Sequence, residues 1–148
     1  MTEYPDKAIR ARVRIDFKGN AKPAKFFFGG KTVEKMAEEA RDQNVAMFRN
    51  IPIQGITIQD IDIGTEVYTY FDDINNTESA FAPVILEVTA GSIEDLLKLI
   101  ARDDFRKVEL LSPSELTLEK IELERLLFKV AEEIKGFRTH FERKYNLK

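Results

Sequence analysis

The residues best suited to chemistry fall into three sets and one lone side chain. Asp60, Asp62, Asp72, Asp73 and Glu78 are the densest carboxylate set, and hard cations such as magnesium or calcium take oxygen-rich clusters of this kind. Their spacing matches no EF-hand loop, and solvated carboxylates on loops and a strand face are the plainer reading. No metal site is therefore assigned. Arg10, Arg12 and Arg14 form a guanidinium ladder on one strand face, followed by Lys22, Lys25 and the aromatic run Phe26, Phe27, Phe28. Basic side chains beside aromatic rings are what single-stranded nucleic acid requires, charge for phosphates and rings for bases. The acidic middle of the chain offers the same arginines protein carboxylates instead.

Gly29-Gly30-Lys31-Thr32 ends like a phosphate-binding loop and leads into a helix. That loop needs a further glycine at position 25, which is Lys25 here, so only a weak anion site at the helix N-terminus, next to Lys31, is implied. His140 is the sole histidine, and a catalytic or metal role would require partners from elsewhere in the chain. No nucleophile elbow, zinc-protease motif or dinucleotide fingerprint occurs. An enzyme is not expected, no catalytic residue is assigned, and no cofactor is implied.

Composition sets the frame for these residues. The 148 residues carry a net charge of -3 and contain neither cysteine nor tryptophan. Disulfide frameworks, thiolate metal sites and cysteine nucleophiles are thereby excluded. No run has the length of a membrane span and no signal-peptide pattern opens the chain, so a cytoplasmic protein without membrane contact is expected. Charge is unevenly spread. Residues 1–31 hold eight Lys/Arg against three Asp/Glu, residues 32–100 four against thirteen, and residues 101–148 eleven against ten. A basic opening and an acidic middle can pair within the fold, between subunits or with a charged partner.

The elements that position these residues centre on 84–111. Val84, Leu86 and Val88 alternate with Ile85, Glu87 and Thr89, the period of a half-buried strand. Ser92 then stands as an N-cap with Asp95 three residues on. Ile93, Leu96, Leu97, Ile100 and Ala101 form one helical apolar face, and Val108 and Leu110 alternate in a following strand. This connection is too long for a hairpin and predicts a β-α-β crossover with parallel strands. Both strands keep a polar face, so helices are expected on one side of the sheet only.

Before that unit, Ala8 to Phe17 alternates as a strand, with Lys18-Gly19-Asn20 as its turn and Lys25 to Phe28 pairing back. Thr32 to about Asn44 reads as an amphipathic helix. The isoleucine pairs between Ile51 and Ile63 read as strand segments that change phase at a bulge or turn, with Pro52 at an edge or strand start. Glu66 to Phe71 reads as a strand and Asp72 to Ser79 as a polar loop.

After it, Ser112-Pro113-Ser114-Glu115 has the form of a capping box and predicts a helix from Pro113 to Tyr145. Leu123, Leu127, Val130, Ile134, Phe137 and Phe141 step by four and three, a heptad seam. So long a helix must bend, with Gly136 the natural place, or project from the body. Ile121 and Phe128 lie on another face, and burial on two sides points to a second subunit at those residues.

The expectation is a single α+β domain over residues 1–148: a mainly antiparallel sheet covered by helices on one face, with a crossover at 84–111 and a long C-terminal helix. The function expected is a non-enzymatic, self-associating interaction or regulatory protein. Single-stranded nucleic-acid binding through Arg10, Arg12, Arg14 and Lys25, or small-ligand or anion binding in a cleft beside the Gly29-Gly30 turn, next to Lys31, or beside the acidic loops, are the alternatives.

Overall fold

The computed structural model describes residues 8–19, 22–23 and 32–145, with residues 22–23 described in backbone only. Strand β1 (Ile9–Lys18) and the short β2 (Lys22–Pro23) precede helix α1 (Val33–Asn50). Strands β3 (Ile56–Asp62), β4 (Tyr68–Asp72) and β5 (Thr77–Ala90) follow, then α2 (Ile93–Ile100), β6 (Phe105–Ser112) and α3 (Lys120–Tyr145). The fold is α+β, as the alternation predicts.

The six strands occupy four lanes of one antiparallel sheet. β5 is long enough to pair with β1 and then β2 along one side, and with β3 and then β4 along the other. β6 pairs with the far side of β1. β5 and β6 are each antiparallel to β1, so they run parallel to each other with β1 between them, and α2 makes the expected crossover. The anticipated change of phase is also present, as a register shift between Ile58 and Asp60 where β3 meets β5.

The alternation in β1 and β5 explains the core. Ile9, Ala11, Val13 and Ile15 meet Val84, Leu86, Val88 and Ala90 on one face, and all eight are essentially fully buried. Burial of a large aliphatic side chain is worth about 1.5–3 kcal/mol, so this double row dominates the packing. Val45 and partly buried Phe48 of α1, and Leu96 and Leu99 of α2, cover the same face. The approach of α1 is unusually close at its start. Val33 and Ala37 sit on Ala80 and Ala82, and a Cβ on Gly19 would lie 2.6 Å from the Ala37 amide nitrogen. Only small residues fit there.

Several boundaries differ from expectation. α1 continues six residues past Asn44, because its buried stripe of Val33, Ala37 and Val45 carries on to Phe48 with helical spacing. The polar loop after β4 shrinks to four residues, since Thr77 already pairs with Asp72. The capping box at 112–115 is overturned. Ser112 pairs with Arg10 as the last residue of β6, and a residue preceding proline favours extended backbone. Helix α3 starts seven residues later than Pro113, at Lys120. There the Glu122 carboxylate accepts from the Glu119 amide at 3.3 Å, the reach-back half of a capping box. The intervening segment lays Leu116 against the core. α3 runs as one helix through Gly136 to Tyr145. The predicted return strand at Lys25–Phe28 and the Gly29-Gly30 turn lie outside the described residues.

Candidate functional site

Two features stand apart from the core. The first is the charged outer face of the sheet. Arg12 lies between Glu87 and Glu109 in the strand register. Arg12 donates to Glu109 at 3.2 Å, and Arg10 reaches diagonally to Glu87 at 2.6 Å. Arg14 donates to both oxygens of Asp16 at 2.9 and 3.3 Å. Each predicted ladder arginine therefore faces a carboxylate of its own chain, and the charge asymmetry is met in part within the fold. Lys25 and Lys31, the other residues assigned to nucleic acid or anions, lie outside the described residues.

Asp16 is the centre of this face and was not singled out from the sequence. Its position in β1 points it away from the core, yet only 1% of it is exposed. Besides Arg14, it accepts the Tyr68 hydroxyl at 2.5 Å, and the Arg106 guanidinium lies 3.5 Å away. Tyr68 stacks on Phe81 with ring centroids 5.2 Å apart, and Arg106 lies over the Phe81 ring at 5.3 Å. These side chains come from β1, β4, β5 and β6, so the cluster fastens four strands. Burial and the bond to Asp16 push the Tyr68 hydroxyl above its ordinary pKa, against an opposing contribution from Arg106. The bond to Asp16 likewise raises Arg14. A carboxylate that accepts from Arg14 on both oxygens and from Tyr68, with a second guanidinium 3.5 Å away, is a poor base or nucleophile. Its chemistry is that of a cross-strand clamp.

The predicted carboxylate set does not converge. Asp62 pairs with Ile85, whereas Asp72 pairs with Thr77, eight residues and roughly 26 Å further along β5 at 3.3 Å per residue. Asp72 instead closes the β4–β5 turn, accepting from the amides of Ile74 and Asn75 and from the Asn75 side chain. Those bonds hold its carboxyl below the usual range. Among the described residues no three metal-ligating side chains gather.

The second feature is α3. Not one of its 26 residues is buried, and its main packing on another element is a loose contact with α2. Grooves remain on both sides of that contact. One holds Phe128 beside Glu94, Asp95 and Lys98, and the other holds His140, Ile134 and Phe137 beside Ile100 and Arg102. The heptad seam is mostly open. Leu123, Leu127, Ile134, Phe137 and Phe141 are 44–63% exposed, and Val130 is half-buried. Half-buried Glu122, Leu126, Lys129 and Glu133 trace a different line, about a quarter turn round the helix from the seam at 100° per residue. Ile121 and Phe128, the predicted interface residues, are 49% and 67% exposed on the side away from the seam. The sequence pattern led to an outward face at Ile121 and Phe128; the structure adds a larger one along the seam itself.

Among the described residues no helix is long and apolar enough to cross a membrane. Comparison with family models, curated proteins and solved structures gives no significant match.

Proposed function

We propose that this protein is a non-enzymatic interaction protein that self-associates through α3, the sheet acting as a rigid carrier for that helix. The observation that carries the reading is the open seam. Large apolar side chains repeat along a helix of about 39 Å, at 1.5 Å per residue, and five of the six seam residues are 44–63% exposed. At roughly 200 Å² for a large side chain, half-exposed seam residues offer on the order of 600 Å² per copy. Two copies then bury about 1,200 Å², the lower bound of specific stable interfaces. Exposed apolar patches of this size mark interaction sites. A cytoplasmic setting accords with the absence of cysteine.

The nucleic-acid alternative draws less support, because each ladder arginine already has a carboxylate partner. Light scattering on two double variants tests the reading. Leu127→Glu with Ile134→Glu should give a folded monomer from a dimeric parent. Ile121→Ser with Phe128→Ser should leave the dimer in place if the seam is the interface. A parent that is monomeric at high concentration overturns the proposal.

A further inference from the structure

The orientation of the pairing is written in the order of the seam residues and the charges beside them. We infer that α3 pairs with α3 of a second copy in antiparallel fashion, registered by Glu124 of each copy against Arg138 of the other. This rests on the self-association reading above and specifies its partner and geometry.

The apolar seam is its own complement when reversed. With the two helices antiparallel about position 132, Leu123 meets Phe141 of the second copy, Leu127 meets Phe137, and Val130 meets Ile134. Each layer sets a smaller side chain against one of equal or greater size, which suits interdigitated packing. A parallel pair would instead stack Phe137 on Phe137 and Phe141 on Phe141 at one end, and only leucines at the other.

The charges favour the same arrangement. Residues 119–126 hold three acids against two bases, and residues 138–145 three bases against one acid. The antiparallel register lays the first stretch along the second, twice over by symmetry. Flanking positions set partner choice and orientation in paired helices. Here Glu124 and Arg138, both exposed, follow Leu123 and Phe137 on the same flank and come together across the pair. Ala131, midway between them, meets its own copy and allows close approach. One contact is unfavourable, Glu133 against Glu133 of the second copy, and Lys129 lies 3.6 Å from that carboxylate on the same helix and offsets it. A parallel pair would bring the basic ends together and the acidic starts together. Opposed helix dipoles add to the preference.

The chain contains no cysteine, so a single Arg143→Cys substitution allows one spin label per copy. In the antiparallel pair the two labels stand about 30–40 Å apart, from 1.5 Å per residue and a helix spacing of 8–10 Å. In a parallel pair they lie within about 20 Å. Charge exchange is the second arm. Glu124→Arg should weaken dimerisation by about tenfold, since two exposed pairs become repulsions. Adding Arg138→Glu should restore it. A long label distance with restoration supports the inference. A dimer with a short distance, or a double variant no tighter than the single, overturns the orientation while leaving self-association standing. A labelled Arg143→Cys chain that shows no dipolar coupling, together with a parent that sediments as a monomer, overturns both.

Discussion

Replacing Asp16 by asparagine is the sharpest test of what holds the outer sheet face together. The substitution keeps the shape and one carbonyl oxygen but removes the charge, and it turns an amide donor toward guanidinium donors. Breaking a buried ion pair from one side costs about 3–5 kcal/mol. Here Asp16 is buried but Arg14 and Arg106 are 37% and 40% exposed, so water recovers part of their solvation. The discounted loss is about 2–3 kcal/mol. For a chain of this size 1 kcal/mol is worth about 3 °C, and the thermal midpoint should fall by about 6–9 °C. Glu109→Gln supplies the contrast. It breaks the Arg12 pair, whose side chains are 46% and 51% exposed, and should cost no more than about 0.5 kcal/mol. Circular-dichroism melts of the parent and the two variants decide the matter. An Asp16→Asn midpoint within about 2 °C of the parent, or equal losses from the two variants, would refute the reasoning.

Other consequences are testable on the same footing. Tyr68 has its folded-state pKa raised, so its contribution to stability is complete below the ordinary tyrosine pKa of about 10 and is lost as pH climbs through the higher folded value. Ultraviolet titration should show a tyrosine component ionising above the ordinary range, and Tyr68→Phe should delete that late component; its persistence would contradict the assignment. Gly55 has φ +78°, and a Cβ there would run into the Asp95 carboxylate. Gly55→Ala should therefore cost about 2 kcal/mol in urea unfolding, and a neutral result would remove the argument.

The sheet was legible in the sequence wherever one periodicity acted alone. β1 alternates without interruption, and the Ser92–Asp95 cap appears as read, with the Asp95 amide donating to Ser92 Oγ at 3.1 Å. Two competing signals misled the reading at 112–115, where a good capping pattern coincides with the end of a strand already paired to β1. Strand pairing prevailed because Ser112 is committed to a partner, Arg10, about a hundred residues away, which no local window contains. Asp16 escaped notice for the same reason. Its alternation marks it as an outward residue, and its burial is created by Tyr68 and Arg106 from distant strands. The α3 seam was plain as a pattern, but its spacing reads alike whether the partner lies in the same chain or another. Only the placement of α3 across α2 shows that its own chain leaves most of the seam about half exposed.

Sedimentation equilibrium of the unmodified chain, from about 1 to about 100 μM, tests the central claim most directly. The account predicts a mass of twice the 17.1 kDa chain across the upper part of that range. The Leu127→Glu, Ile134→Glu variant should fall to the single-chain mass while keeping its helical signal. A parent that stays at the single-chain mass throughout would contradict self-association through α3.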